Sequence, residues 1–317
     1  MQRFKLFFVF VVAISTMSCG NDSQSKCFQY VFDDGNAIVS GFTPMPKIDS
    51  THIVVPDMVE CDGHTYQVIK IGERAFKDCK YITSISLPES VQEIGDSAFW
   101  KCSALKEINI PKAITKIGPD AFHDTKGLTI HITDIEAWCN IAKDPRAFDR
   151  DYDLYIDGGI VNNLTIPESV TNIKNYAFAG CTSLTSVTIP NSVTSIGGGA
   201  FAYCSSLTSI EIPNKIDTIN GETFYGARLL EHVVIPSSVK KIVGSAFMYC
   251  ENLSVTCKAS IPPTYGSEGS LALYISGSNL DTLSLYALSL YVPAGSIDAY
   301  KNAPVWRDFK YINAISE

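Results

Sequence analysis

The chain has 317 residues, of which 46% are hydrophobic and 18% charged, and its formal net charge is −8. This length is ample for a hydrophobic core, and an acidic chain without a basic patch argues against nucleic-acid binding. The acidity also argues against docking on anionic lipid by charge alone, so any membrane attachment has to come from acyl chains.

The first residues have the parts of an export signal. A basic start precedes an apolar run over residues 6–14 that is too short to span a membrane, and small residues follow. Cys19 resembles the lipidated first residue of a bacterial lipoprotein, although Thr16 stands where that motif has an aliphatic residue. We predict an export signal peptide over 1–18 and a lipid-attached tether over 19–27, with an ordinary cleaved signal as the alternative.

A segment of 23 residues repeats along most of the chain. Two copies read LPESVQEIGDSAFWKCSALKEINIP from Leu87 and IPNSVTSIGGGAFAYCSSLTSIEIP from Ile189. The prolines that keep this step are Pro88, Pro111, Pro167, Pro190, Pro213 and Pro236. A fixed period of this size predicts a solenoid, in which each coil buries its apolar face against its neighbours.

A hydrophobic pair marks each coil, with an isoleucine ahead of it and a strand pattern after it. The pairs are Ala75–Phe76, Ala98–Phe99, Ala121–Phe122, Ala177–Phe178, Ala200–Phe201, Thr223–Phe224 and Ala246–Phe247. We interpret each coil as a strand, a turn, a second short strand and a single helical turn that carries the pair. Phenylalanine is then expected to stack on phenylalanine from coil to coil.

The pattern L-x-x-L-x-L is that of leucine-rich repeats, and the fuller string IPxSVTxIGxxAFxxCxSLTxI closely resembles the BspA-like bacterial branch over roughly residues 53–317. The resulting expectation is an α/β leucine-rich-repeat solenoid, mostly β, with about seven coils in a right-handed stack capped at both ends. The resemblance further implies a secreted or surface-attached repeat protein that binds host matrix proteins or other cells, and not an enzyme.

We divide the repeat domain, residues 28–317, into five parts. These are an N-terminal cap (28–70), first coils (71–132), an insertion (133–163), later coils (164–257) and a C-terminal cap (258–317). In the insertion, which we expect to project from the solenoid, Thr133 or Asp134 caps a short helix through Ala142, and residues 157–159 turn between two strands.

The two caps carry their own signals. The sequence predicts covering strands over 28–39 and 64–69 at the start. At the finish, Ser296 is expected to cap a short helix that ends near Asn302, after a mobile loop over 262–282.

Five of the ten cysteines occupy one slot of the repeat, where Thr125 and Ala227 replace them in other coils. These five are Cys79, Cys102, Cys181, Cys204 and Cys250. A slot that accepts Thr or Ala is small and buried, which favours free thiols over bridges. A bridge between Cys27 and Cys61 in the N-terminal cap is an open alternative.

No motif for catalysis, metal or cofactor stands out. The five histidines, His52, His64, His123, His131 and His232, are scattered. Asp149, Asp151 and Asp153 alternate like the opening of a calcium loop, but Leu154 stands where that loop needs glycine. There is no phosphate loop, H-E-x-x-H or G-x-S-x-G. We predict no catalytic residue, no metal and no cofactor.

Two surfaces remain as candidates for binding. The outward strand residues form a candidate binding face made of Ser84, Ser86, Glu107, Asn109, Ser186, Thr188, Ser209, Glu211 and His232, on one continuous sheet. The residues after the phenylalanines form a candidate aromatic edge made of Trp100, Tyr203, Tyr225 and Tyr249. The alternative for this edge is packing against neighbouring coils.

These features predict an exported adhesin, lipid-anchored at Cys19 to the bacterial (outer) membrane, that binds an extracellular protein or partner-cell surface across its sheet. One alternative is a glycan-binding or glycan-cleaving protein, with Trp100 or Trp138 as the sugar platform beside Glu107 or the aspartates of 149–153. Another is a structural envelope component without a ligand.

Overall fold

The computed structural model describes residues 27–43, 51–149, 151–266 and 289–316. The predicted export signal and Cys19 lie outside the described residues, as does the part of the predicted mobile loop that follows Gly266.

The described chain consists of short strands, two short helices and two 3₁₀ turns. Up to residue 160 the elements are β1 (Phe28–Asp33), β2 (Asn36–Phe42), β3 (His52–Val54), β4 (Met58–Cys61), β5 (His64–Ile71), β6 (Ser84–Ser86), β7 (Glu93–Ile94), β8 (Glu107–Asn109), β9 (Lys116–Ile117), β10 (Leu128–Ile132), α1 (Ile135–Asn140), β11 (Ala142–Lys143), β12 (Tyr152–Ile156) and β13 (Gly159–Ile160). They continue as β14 (Asn163–Thr165), β15 (Asn172–Ile173), β16 (Ser186–Thr188), β17 (Ser195–Ile196), β18 (Ser209–Glu211), β19 (Thr218–Ile219), β20 (His232–Ile235), β21 (Lys241–Val243), β22 (Ser254–Cys257), β23 (Thr264–Gly266), β24 (Ser289–Val292), a 3₁₀ turn (Ala294–Ser296), α2 (Ile297–Asn302), a second 3₁₀ turn (Trp306–Asp308) and β25 (Tyr311–Ala314).

Each regular coil contributes a first strand, a second short strand and a turn around its phenylalanine. The first strands stack into two sheets, β3-β6-β8-β10-β12 with β13 at the edge, and β14-β16-β18-β20-β22-β24-β25. The second strands form the sheets β1-β2-β5-β7-β9-β11, β15-β17 and β19-β21-β23. Coil stacks directly on coil, because the pairing within these stacks is parallel at a spacing near one repeat.

The fold class is the predicted leucine-rich-repeat solenoid, mostly β, but it has about ten turns where the sequence predicted seven. The prediction counted only coils with a regular hydrophobic pair. The caps and the 133–163 segment add further turns, because their strands continue the same sheets without repeating the motif.

The expectation that residues 133–163 project from the solenoid is wrong. Asp134 caps α1 as predicted, accepting the Ala137 N–H at 2.9 Å, although the helix ends at Asn140. The chain then rejoins the stack, because β11 pairs with β9 and β12 pairs with β10. Phe148 stacks on Phe122 with ring centroids 4.9 Å apart, so this segment forms a coil of its own.

The predicted helical turn at each phenylalanine is also wrong: in the described repeats the segment is a turn whose amides point to the next coil. The amides of Arg74, Phe76 and Asp78 donate to carbonyls of the following coil at 2.8–3.0 Å. Arg74 and Asp78 have left-handed φ angles of 56° and 62°. These reversals direct alternate amides outward along the stack, so they cannot form the i−4 bonds of a helix.

The serine and the cysteine that recur in the repeat both form hydrogen bonds between coils. Ser90, Ser192 and Ser238, each two residues after a repeat proline, donate to a carbonyl of the preceding coil, as Ser90 does to the Val68 carbonyl at 2.7 Å. The slot cysteine acts similarly, since Cys204 Sγ donates to the Phe178 carbonyl at 3.2 Å. The five slot cysteines are free thiols, as predicted, and the described residues hold no bridge between Cys27 and Cys61.

The ends of the solenoid are covered by apolar side chains. Phe28 and Phe42 of the N-terminal cap pack on Phe76, with centroids 6.1 Å and 5.2 Å away. At the other end Trp306 is buried and donates from Nε1 to the Pro263 carbonyl at 2.9 Å. Helix α2 ends at Asn302 as predicted, but Ser296 makes no side-chain capping bond because it sits in a preceding 3₁₀ turn.

Replacing Phe201 by alanine is expected to lower the free energy of unfolding by about 3–5 kcal/mol, because a fully buried ring is lost from between two coils. Urea denaturation followed by circular dichroism measures this. Tyr311→Ala, at an exposed edge strand, is the control and should cost far less. Equal losses for the two variants would contradict a core carried by the phenylalanine stack.

The slot thiols are expected to resist alkylation in the folded protein. Burial raises the pKa of Cys102 and Cys250 to about 12 and that of Cys181 to about 11, so all three stay protonated at pH 8. Mass spectrometry after iodoacetamide treatment should find them unmodified in the folded chain and modified in urea. Modification at equal rates in both states would show that the slot is open.

Candidate functional site

The candidate binding face is split between two sheets and is not continuous, which corrects the sequence expectation. Ser84, Ser86, Glu107 and Asn109 lie on β6 and β8, whereas Ser186, Thr188, Ser209, Glu211 and His232 lie on β16, β18 and β20. The coil built from residues 133–163 separates the two sheets, because β12 turns back into β13 and the next sheet begins at β14.

On the first sheet three of the predicted residues are hydrogen-bonded to neighbours, Ser84 and Ser86 to His52 and Asn109 to the Leu87 backbone. Ser84 Oγ lies 2.6 Å from His52 Nδ1, and Ser86 Oγ lies 3.4 Å from His52 Nε2. Asn109 both accepts from the Leu87 amide at 2.7 Å and donates to its carbonyl at 2.9 Å. Glu107 is exposed. This part of the face therefore has few polar groups left for a partner.

On the second sheet the predicted residues form straight rows. Ser186, Ser209 and His232 are in register on neighbouring strands, and Asn163 and Ser254 extend that row. Thr188, Ser209, Glu211 and His232 are exposed. Glu211 lies 3.3 Å from the ammonium of Lys258, and this exposed pair is worth little energetically. The row is accessible and made of small polar side chains.

The candidate aromatic edge contains three of its four predicted members. Tyr225 makes edge contacts with Tyr203 and Tyr249, with centroids 5.2 Å and 5.1 Å away, and all three rings are half-buried. Trp100 lies in the first coils, where the ammonium groups of Lys77 and Lys101 approach its ring at 4.4 Å and 4.9 Å. The edge is thus a tyrosine row with Trp100 elsewhere.

The tyrosine row has a fourth member, Tyr176, that the sequence did not single out. Tyr176 and Tyr203 have left-handed φ angles of 57° and 59°, a conformation that bulky residues rarely adopt. The Tyr176 ring lies against Gly199 of the next coil, and the Tyr203 ring lies against Gly226. A Cβ atom at either glycine would clash with ring carbons. The glycines make room for the rings.

Of the two predicted sugar platforms, Trp138 is buried and Trp100 is half-buried. Trp138 is 1% exposed, and Lys143 Nζ lies 3.5 Å from its ring centroid. Within the described residues, the indole Nε1 atoms of Trp138 and Trp100 are both buried without a hydrogen-bond partner. Trp138 is therefore part of the core, and Trp100 is flanked by lysines.

Sequence reasoning missed Lys143, which is buried where the regular stack breaks. It pairs with Ile117 in the slot that isoleucine fills in the preceding coils. Its Nζ donates to the Ala177 carbonyl at 2.6 Å. In the regular coils this carbonyl accepts the amide of the preceding coil's phenylalanine. Lys143 replaces that bond.

Burial lowers the pKa of Lys143 well below its ordinary value, because a buried ammonium loses its hydration. Among the described ion pairs Lys143 has no carboxylate partner that would oppose this shift. The amine is therefore held mainly by carbonyls and by the Trp138 ring.

Lys143→Met is expected to remove one pH dependence of stability. Between the lowered pKa in the folded state and 10.5 in the unfolded state, the unfolded chain binds more protons, so the free energy of unfolding rises with pH by up to about 1.4 kcal/mol per unit. As the pH rises toward 10.5, the free energy of unfolding of the natural protein should increase relative to that of the variant in urea titrations.

Lys174→Met is the control for this measurement, since it removes an exposed lysine from the next coil. A constant difference between the natural protein and Lys143→Met at all pH values would contradict the buried-amine interpretation.

Within the described residues no cluster of His, Cys, Asp or Glu side chains has an arrangement that holds a metal ion. Neither helix of the described ranges has the length or apolar character that a bilayer crossing requires.

Comparison with solved structures finds other bacterial leucine-rich-repeat proteins at low similarity. A leucine-rich cell-surface protein of Faecalibacterium prausnitzii is 21% identical, with 84% of this chain and 100% of that chain covered and a TM-score of 0.35. A leucine-rich-repeat protein of Bacteroides ovatus is 20% identical over 91% and 98%, with a TM-score of 0.29. The pneumococcal vaccine antigen PcpA is 16% identical over 95% and 99%, with a TM-score of 0.40.

No protein of curated function matches the sequence. The solved structures are too distant to indicate what this chain binds, so the assignment depends on the repeat itself. The profile of the BspA type leucine rich repeat region matches residues 64–141 and 157–262 in six copies. Because this match covers more than half of the chain, the protein belongs to the BspA-type leucine-rich-repeat family.

Proposed function

We propose that the chain is a non-enzymatic binding protein of the bacterial cell surface, and that it recognises an extracellular protein, of a host matrix or a partner cell, through its second sheet. The observation that carries this is the polar row on β16, β18 and β20, in which Ser186, Ser209 and His232 stand in register and the last two are exposed. The family, whose members are typically surface-exposed bacterial proteins, agrees with such a role.

The second sheet suits this role better than the first for two reasons. It has seven strands, and its outward residues Thr188, Ser209 and Glu211 are exposed, whereas Ser84, Ser86 and Asn109 bond within their own sheet. Small polar side chains give little binding energy each, so affinity has to come from many weak contacts made at once. A stiff stack of coils keeps these contacts in one geometry and lowers the entropic cost of binding.

Attachment at Cys19 completes the proposal. A single acyl chain gives only marginal membrane binding, whereas the several chains of a bacterial lipoprotein hold a protein stably. The short polar tether that follows would leave the repeats free of the bilayer. Metabolic labelling with a fatty-acid analogue should mark the natural chain and leave Cys19→Ala unmarked.

Replacing Ser186, Thr188, Ser209 and Glu211 together by lysine is expected to weaken binding about tenfold or more, because four long cations would cover the row. The measurement is binding of the purified chain to an immobilised panel of matrix proteins and glycans at physiological salt. Saturable binding of the natural chain to one protein, lost in the variant, supports the proposal.

The matched control replaces Glu168, Thr171, Asn214 and Ser237 by lysine, since these exposed positions give the same change in charge away from the row. Equal losses in both variants would mean that net charge, not the row, decides binding. Binding to a glycan alone, unaffected by either variant, would overturn the assignment of the sheet as the binding surface.

A further inference from the structure

A cleft of about 230 Å³ opens beside the phenylalanine turns, at the break between the coil of Phe148 and the coil of Phe178. Its lining comes from turn residues of four successive coils and includes no residue of the predicted binding face. It exists because β11 does not pair with β15, so the coils on either side of the break are not held together as the others are.

One part of the lining is aromatic. Phe148, Tyr176, Tyr203 and Tyr225 line the cleft, and all four rings are half-buried. Left-handed backbone at a bulky residue costs roughly 1–3 kcal/mol, and Tyr176 and Tyr203 both adopt it. The fold uses left-handed backbone at both turn positions in other coils too, at Ser97 two residues before a phenylalanine and at Asp78 and Tyr249 two residues after one. Because serine and aspartate adopt the same backbone, the stack does not require tyrosine at these positions, and the two rings are available to form one wall of the cleft.

The other part of the lining is acidic. Asp144, Asp149 and Glu222 line the same cleft. One oxygen of Glu222 accepts the Tyr176 hydroxyl at 3.4 Å, and one oxygen of Asp149 accepts the Thr125 amide at 3.0 Å. These bonds fix the carboxylates relative to the rings without neutralising them.

Three basic side chains lie close to these acids, and one of them is His123, whose Nδ1 lies 3.3 Å from Asp149 Oδ1. Lys143 is buried with its Nζ bound to the Ala177 carbonyl. Burial also lowers its pKa, which favours the uncharged amine. Arg146 is exposed and approaches Asp144 and Asp120 only at 3.5 Å. Pairs of this kind are weak and readily exchanged.

We propose that this cleft binds a basic side chain, arginine or lysine, presented by a protein partner. Aromatic faces attract a cation through their quadrupole, and carboxylates bind it by charge-assisted hydrogen bonds. A volume of about 230 Å³ is below the size of sites for drug-sized ligands and suits one side chain. The net charge of −8 also draws a basic partner toward the chain. The cleft lies outside the sheet, so this inference holds or fails separately from the proposed function.

The test uses N-acetyl-arginine methylamide and its uncharged citrulline analogue, each titrated into the natural protein labelled on its tyrosine rings for NMR. The arginine probe should shift the signals of Tyr176, Tyr203 and Tyr225 saturably. The citrulline analogue, which keeps the shape and loses the charge, should bind about tenfold more weakly or not at all. Raising the salt concentration should weaken the arginine probe, because the charges are partly exposed.

Glu222→Gln should weaken the arginine probe about two- to fivefold. Glu107→Gln is the matched control, since it makes the same change at an exposed position on the first sheet and should leave the titration unchanged. Equal shifts by both probes, no saturable shift, or shifts caused instead by a methyl glycoside would overturn the inference. The comparison of probes and salt needs no variant, so it stands even if a variant folds poorly.

Discussion

Contact between one coil and the next is the constraint on which the rest of the structure depends. A single coil has two or three short strands and one phenylalanine, too little to enclose a core. The rings stack at 5.1, 5.1 and 4.9 Å from Phe76 to Phe148, and at 5.5, 5.9 and 5.3 Å from Phe178 to Phe247. Backbone bonds between coils run beside them on every side. Each coil is thus stable only as part of the stack. Because the same core residues recur in every coil, the backbone that carries the surface residues recurs as well.

The break near residue 143 interrupts both kinds of sheet and the phenylalanine stack in one place. The first-strand sheet ends, the second-strand sheet ends, and the ring stack passes from Phe148 to Tyr152 at 5.2 Å instead of to another phenylalanine. Tyr152 then bridges to Cys181 of the next coil, so the core remains continuous. Lys143 and Trp138 fill the space between. The cleft lies at this break, where the coils on its two sides are not paired through their second strands.

The sequence predicted what the repeat determines. The spacing of the prolines, the stacking of the phenylalanines and the burial of the slot cysteines could all be predicted from the repeat. Each repeat position has the same neighbours in successive coils. It did not predict the hydrogen bonds that the phenylalanine turns donate to the next coil. These bonds depend on left-handed backbone, and Arg74 and Ser97 carry no local signal for that conformation. It missed the coil at Phe148 because that phenylalanine is out of step with its neighbours. It missed Lys143 because a lysine is ordinarily expected at the surface. Only the pairing of Lys143 with Ile117 shows that it occupies a position that isoleucine fills in other coils.

The position of Trp100 shows that the sequence also could not predict which residues of the candidate aromatic edge lie together. Its position after a phenylalanine resembles that of the tyrosines, yet it stands in the first coils, on the other side of the break. Proximity in a solenoid depends on coil number as much as on the position within the repeat. The sheet row and the cleft lie on different sides of the same coils, and a rigid stack holds both without rearrangement. Occupation of one surface therefore need not alter the other, since no described element links them by two alternative packings.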